Sequence, residues 1–253
     1  MGVDARLFEK IDLAGLDARS RLLQRTDQKY IARTARLGPL SRDLAREFSL
    51  LRIGRRHVFQ YESVYFDHEY ESYKGHLQGR RHRCKVRTRY YADSGECFVE
   101  VKLKSGRGGT VKRRMPYPAR ERFRINARAR AFIRRVHRRA YLRDPPRALE
   151  RVLVVKNARI TLVAKDGGER ITIDSSLRFE TQLVRCAAPR GVVVIETKTR
   201  NGNGLADKIL RRHGLRAQRN CSKYCLGVVQ LGLVEKGNYF LPTLRVMRKC
   251  ARG

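Results

Sequence analysis

Two alternating stretches, Arg83-Cys-Lys85-Val-Arg87-Thr-Arg89 and Glu100-Val-Lys102-Leu-Lys104, place a cation or a carboxylate at every second position. Successive side chains of a β-strand point to opposite faces, so each stretch presents one charged face. The interleaved Val99, Val101 and Leu103 are apolar, a division that suits a charged face meeting something polyanionic. The same design recurs at Glu196-Thr-Lys198-Thr-Arg200. Two strands of this kind predict two walls of one site, with the charged faces turned into the lumen of a closed barrel. Like charges crowded in a partly desolvated space repel by several kcal/mol, and a bound polyanion relieves them. Glu100 and Glu196 fit the role of holding a divalent cation that bridges phosphate oxygens. The plainer alternative is a salt bridge from Glu100 to Lys102 or to a neighbouring strand.

A chain of 253 residues, 42% of them hydrophobic, can bury a full core in one domain with helical additions. Lys and Arg number 58 against 24 Asp and Glu, a formal charge of +34. That excess attracts nucleic acid, polyphosphate, nucleotides or anionic lipid without choosing among them. No apolar run is long enough for a membrane span and the N-terminus has no apolar signal core, so the expected location is cytoplasmic. The six cysteines show no CxxC spacing, which predicts reduced thiols. Cys221, Cys225 and His213 lack a fourth metal ligand at finger spacing and are read as packing residues. The six histidines show no ligand spacing, and no Ser-His or Cys-His arrangement marks a covalent nucleophile.

Periodicity predicts a helix over 4–23, strands over 26–32 and 57–67, and a helix over 40–48 between them. The basic ladder at 81–91 turns through Asp93-Ser-Gly95 into its hairpin partner at 97–104. The glycine-rich 106–109 lacks the sequel of a P-loop and reads as a turn into a strand at 110–115. Residues 119–142 form an Arg-rich helical region closed by Asp144-Pro-Pro146. Its ordinary reading is a solvated face, and binding of polyphosphate, nucleic acid or lipid headgroups is the other. Strands follow at 152–163, 170–174, 177–183 and 192–199, then helices ending at Gly214 and over 222–233, and a disordered tail at 245–253. Eight or nine strands with hairpin-length turns predict an antiparallel sheet closed into a barrel.

Several short motifs occur in a particular order: Arg25-Thr-Asp-Gln-Lys29-Tyr30, Val64-Tyr-Phe-Asp67, Lys85-Val-Arg-Thr-Arg89-Tyr90, Val99-Glu-Val-Lys102, Thr110-Val-Lys-Arg-Arg114, Arg170-Ile-Thr-Ile-Asp174, Ile195-Glu-Thr-Lys198 and Ser222-Lys223-Tyr224. In that order they resemble VTC domains, the polyphosphate polymerase domains of the vacuolar transporter chaperone complex and their bacterial relatives. The resemblance runs from Arg25 to Leu231. It implies an α+β fold of the triphosphate tunnel (CYTH-like) type, a closed antiparallel eight-stranded β-barrel with flanking helices. The expected divisions are an N-terminal helix over 1–24, the tunnel domain over 25–235 and a basic tail over 236–253.

The resemblance further implies transfer of the γ-phosphoryl group of ATP onto polyphosphate with manganese or magnesium. Carried over by motif, Lys29, Lys85, Arg87, Arg89, Lys102, Lys112, Arg114, Arg159, Lys198, Ser222 and Lys223 are expected to bind phosphates. Arg87, Arg89, Arg159 and Glu196 are expected at the reacting group, with Glu196 and Glu100 as metal ligands. Partners are then ATP and polyphosphate, with anionic polymer or lipid surfaces as further contacts. The rival readings are a triphosphate or nucleoside-triphosphate hydrolase of the same fold and a non-catalytic polyanion- or RNA-binding module. Three positions depart from the family pattern: Asn157 stands where an aromatic residue is common, Asn220 where a basic one is, and Thr197 where an apolar one is.

Overall fold

The computed structural model describes residues 2–19, 26–104, 110–146 and 148–252. Eleven strands make one sheet: β1 (Lys10–Ile11), β2 (Thr26–Arg33), β3 (Phe48–Leu51), β4 (Phe59–Asp67), β5 (Arg83–Tyr91), β6 (Cys97–Lys104), β7 (Thr110–Pro116), β8 (Glu150–Ala164), β9 (Arg170–Glu180), β10 (Arg185–Ala187) and β11 (Val192–Thr199). Among the described residues seven α-helices surround it: α1 (Leu13–Arg19), α2 (Leu37–Glu47), α3 (Glu71–Leu77), α4 (Ala127–Tyr141), α5 (Leu205–Arg212), α6 (Lys223–Gln230) and α7 (Leu241–Arg252). The main path runs β2-β11-β9-β8-β4-β5-β6-β7, antiparallel throughout, while β1, β3 and β10 attach to its flanks.

The expected closed eight-stranded barrel does not form: among the described residues no ladder joins β2 to β7. The far edge of β2 already has partners: Gln218 donates its backbone N–H to the Lys29 carbonyl at 2.7 Å, and Ala217 bridges to Tyr30. A strand edge so occupied cannot accept another neighbour. Inward-facing side chains approach across the gap instead, Lys102 of β6, the strand next to β7, lying 3.9 Å from Asp27 of β2.

Other expectations shift locally. The helix read over 4–23 becomes a short turn, β1 and α1, and its last residues lie outside those described, as do Arg25 and the 106–109 turn. The strands read at 170–174 and 177–183 are one strand, β9, bent where Ser176 takes a left-handed φ of 52° and the register with β8 slips. The tail read as disordered is helix α7. Phe240, Leu244 and Met247 fall on one helical face and are buried against the apolar end of the sheet.

Outer and inner faces of the sheet differ in chemistry. Outside, Tyr30, Ile173, Ile195 and Leu162 are covered by α2 and α5, and Val86, Val99 and Val101 by α4. Inside, one end is filled with hydrocarbon where Leu153, Val155 and Phe179 meet α6 and α7. The middle of the inner face holds the charges. Polar residues thus line the concave side, while apolar residues anchor the strands outward against helices.

Candidate functional site

Cross-strand register sets each inward charge beside the next. Lys29 of β2 lies opposite Glu196 of β11, Asp27 opposite Lys198, Asp174 of β9 opposite Arg159 of β8, and Arg87 of β5 opposite Glu100 of β6. Three carboxylates organise the surrounding cations. Asp174, fully buried, accepts from Arg159 through two bonds of 2.7 and 2.9 Å, from Lys223 at 2.5 Å and from Asn157 at 2.8 Å. Glu100, 2% exposed, accepts from Arg87 at 2.8 and 2.5 Å and is paired with Lys112. Glu196 pairs with Lys198 at 2.5 Å, and Lys198 lies 3.5 Å from Asp27.

Burial opposes ionisation of all three, yet the neighbouring cations win. Arg87, Arg89 and Lys112 hold Glu100 well below the usual carboxylate range, and Arg159 and Lys223 do the same for Asp174. Lys198, Lys29, Lys223 and Arg159 depress Glu196. The acids are therefore ionised, and the cations still outnumber them. Arg89 shows the surplus most directly. Its nearest carboxylate oxygen, on Glu100, is 3.9 Å away, and its Nε makes no hydrogen bond. Burial and the adjacent Arg87 push its pKa down. A largely buried guanidinium whose Nε finds no acceptor is costly, and an anion bound beside it would remove the cost.

Aromatic rings brace these arginines. Tyr61 of β4 lies between the guanidinium groups of Arg159, 4.9 Å from its ring centroid, and Arg89, at 5.5 Å. Tyr65 lies 5.7 Å from Arg87 and accepts a hydrogen bond from it at 3.0 Å. Neither tyrosine nor Asp174 was assigned a role from sequence. The every-second-residue pattern Tyr61, Ser63, Tyr65 was the available signal. The departures from the family pattern also find partners. Asn157 bonds Asp174 and sits opposite Tyr61 in the β4–β8 register, so the aromatic ring comes from the neighbouring strand. Thr197 donates to the buried Asp207 at 2.6 Å, tying β11 to α5. Asn220 donates to the Tyr239 carbonyl at 3.0 Å, away from the charged face.

Helix α6 delivers the remaining residues. Its N-cap Ser222 takes a hydrogen bond from Lys85 at 2.9 Å, and Lys223 at the first helical position reaches Asp174. Lys85 also lies 3.4 Å from His76 Nδ1 and 3.6 Å from Cys225 Sγ. Cys225 and His76 approach to 3.5 Å, a Cys-His pairing that sequence spacing did not reveal because α3, which carries His76, was missed. Burial and Lys85 push His76 down to about 3, so its ring is neutral at pH 7. Arg114 lies over the Phe98 ring at 4.8 Å, on the open edge of the sheet. Glu100 and Glu196 do not share a cluster, and among the described residues no three His, Cys, Asp or Glu side chains are grouped to hold a metal. Glu100 is already engaged by Arg87 and Lys112. Glu196 suits a hard cation that takes one carboxylate from protein and its other ligands from phosphate and water.

Lys102 and Lys112 are lowered to about 8, by burial and then by Lys29 for the first, and by burial and by Arg87 and Arg89, against Glu100, for the second. Two opposite pH trends follow. In the unfolded chain both lysines titrate near the usual lysine value, so between about pH 8 and 10 the unfolded state binds more protons and their contribution to stability rises with pH. Affinity for any polyanion these cations hold is expected to fall over the same interval as they discharge. Both side chains keep partial contact with water, 53% and 37% exposed, so the stability trend is modest. Titration calorimetry with tripolyphosphate at pH 7 and 9.5, beside thermal melts of the free protein, checks both signs.

The VTC domain family model matches residues 24–231. No curated protein matches significantly. Among solved structures, the proposed adenylyl cyclase HpAC1 from Hippeastrum, for which a dominant triphosphatase activity is described, is 15% identical with a TM-score of 0.52. The alignment covers 82% of this chain and 96% of that one. A proposed adenylate cyclase from Bacillus halodurans is 12% identical with a TM-score of 0.48, covering 79% and 95%.

Proposed function

We propose a function from the premise that this chain belongs to the VTC domain family: it is a metal-dependent polyphosphate polymerase that moves the γ-phosphoryl group of ATP onto a polyphosphate chain held against the inner face of the sheet. The observation that carries this reading is Arg89, largely enclosed beside Arg87 and Arg159, whose buried Nε has no hydrogen-bond acceptor.

Phosphoryl transfer requires positioning and charge neutralisation more than covalent chemistry. Asp174 fixes the plane of the Arg159 guanidinium and the position of the Lys223 ammonium before substrate arrives, and Glu100 fixes Arg87. Tyr61 and Tyr65 hold the guanidinium groups without neutralising them. Preorganised cations lose little on meeting the charge that spreads over the transferring group. Lys29, Lys198 and Lys102 extend the positive surface across β2, β11 and β6 to grip the neighbouring phosphates. A divalent ion held by Glu196 would add charge neutralisation at the phosphate oxygens.

Purified protein incubated with ATP and Mn2+, with chain product and free phosphate measured separately, tests the reading. Polyphosphate chains support it. Free phosphate alone favours hydrolysis, the second reading, which the triphosphatase activity described for the Hippeastrum protein recommends. Tight binding without either product identifies a polyanion-binding module. Glu196→Gln is expected to lower metal-dependent turnover about a hundredfold, the effect of losing a few kcal/mol of charge stabilisation. Full turnover in that variant would remove Glu196 from the metal site.

A further inference from the structure

Helix α4 carries Arg128, Arg130, Arg134, Arg135, Arg138 and Arg139, all exposed, and not one acidic residue. Its other face, Ala129, Phe132, Ile133 and His137, is buried against the outside of β6. Stability does not account for this composition. Arginines four apart, as at 130, 134 and 138 and again at 135 and 139, repel by about 0.2–0.5 kcal/mol per pair. Arg128 and Arg130 also sit in the first turn, where the helix dipole disfavours cations, and no acid occupies that turn. Asp144 engages Arg138 at 2.6 Å, whereas Arg134, Arg135 and Arg139 have no ion pair among the described residues.

Arg130, Arg134 and Arg138 line a shallow concavity of about 730 Å³ with Ile125, Ala127 and Ala131. At 1.5 Å rise per residue their attachment points repeat every ~6 Å along the axis, a ladder suited to an extended anion. The sheet edge beside it continues the charge. Strand β7 carries Lys112 and Arg114 on its inner face, while Arg113, opposite Val101 in register, is on the face that α4 covers. Phe123, near the start of α4, has Arg122 at 4.4 Å and Arg151 at 5.4 Å from its ring. Its ring is engaged by protein cations, and the ladder offers guanidinium groups without the aromatic platforms that single-stranded nucleic acid uses for its bases.

We propose that the exposed face of α4 is a second, exterior binding surface for long inorganic polyphosphate, reached from the charged inner face over the open edge of β7. It extends the reading of the inner face as a phosphate-chain site, and its test separates the two. The triple variant Arg130→Gln, Arg134→Gln, Arg138→Gln is compared with the parent for binding of tripolyphosphate and of long-chain polyphosphate across a salt series. Three lost contacts lower the slope of log affinity against log salt by about 2 for the long chain. A fall in long-chain affinity of about tenfold or more with tripolyphosphate binding unchanged is the expected result. Unchanged long-chain affinity overturns the exterior surface. Failure of the parent to bind tripolyphosphate, with the long-chain loss intact, instead counts against the inner site alone. Vesicles containing phosphatidylserine and a single-stranded RNA serve as rival probes. Loss of binding to either, without loss of long-chain polyphosphate, assigns the helix to that partner and overturns the proposal. Leu142, 94% exposed at the end of α4, is the residue whose change to Ser would weaken vesicle binding in that case.

Discussion

Replacing Arg89 with Gln is expected to lower turnover of the triphosphate substrate about 10²–10³-fold, the usual cost of removing one preorganised donor from developing charge, without destabilising the fold. The two effects separate because of where Arg89 sits. Without substrate it is a largely buried cation 3.9 Å from its nearest carboxylate, its pKa lowered by burial and by Arg87. Removing it relieves repulsion and leaves Arg87, Lys112 and Glu100 still joined. Thermal melts and steady-state kinetics of the same preparation read both effects. A variant that loses stability in step with activity would make Arg89 a structural residue and take away the main support for the phosphate site.

The opposite balance is expected at Asp174. Asp174→Asn leaves the largely enclosed Arg159 and Lys223 without their shared, fully buried anion, and removing one partner of a buried ion pair costs about 3–5 kcal/mol. For a chain of this length that lowers Tm by about 10 °C. The bared cations then bind anions instead. Tripolyphosphate at about 100 times its Kd adds about 2.7 kcal/mol, so the melting temperature of the variant recovers most of its loss. Adding Lys223→Met to Asp174→Asn recovers part of it without ligand, since one uncompensated charge is gone. A shift of less than about 2 °C for Asp174→Asn would show that Arg159 and Lys223 do not depend on this carboxylate.

Strands with a strict two-residue alternation were legible in the sequence, and the alternation assigned their faces: Lys85, Arg87 and Arg89 share one side of β5, and Val99, Val101 and Leu103 the other side of β6. Grouping of the cations was legible for the same reason, because register follows from side-chain period. What escaped depended on long-range competition. Closure of the sheet turned on whether the edge of β2 was free, and it was taken by Ala217 and Gln218, nearly two hundred residues later in the chain. The role of Glu100 turned on distance to Lys112, which alternation alone does not give. Asp174 looked like one acid at the end of a short strand, and only the β8–β9 register made it the partner of Arg159. Helix α7 was lost in a basic tail because its apolar residues, among them Leu241, Leu244, Val246 and Met247, are interleaved with Arg245, Arg248 and Lys249.

The seam between β2 and β7 has a consequence for how a polymer is captured. A wall sealed by backbone ladders admits a chain only by its end, since hydrogen-bonded strands do not part for a passing ligand. Here the join between Asp27 and Lys102 is made of side chains, and a phosphate competes with Asp27 for the same ammonium group. If the inner face binds a polyanion as proposed, the chain could enter sideways, by its middle, and a molecule with both termini blocked by bulky groups is expected to remain a ligand. Raising ionic strength weakens such an ion pair, so on that reading capture by the middle of a chain would depend on the solution as much as on the fold.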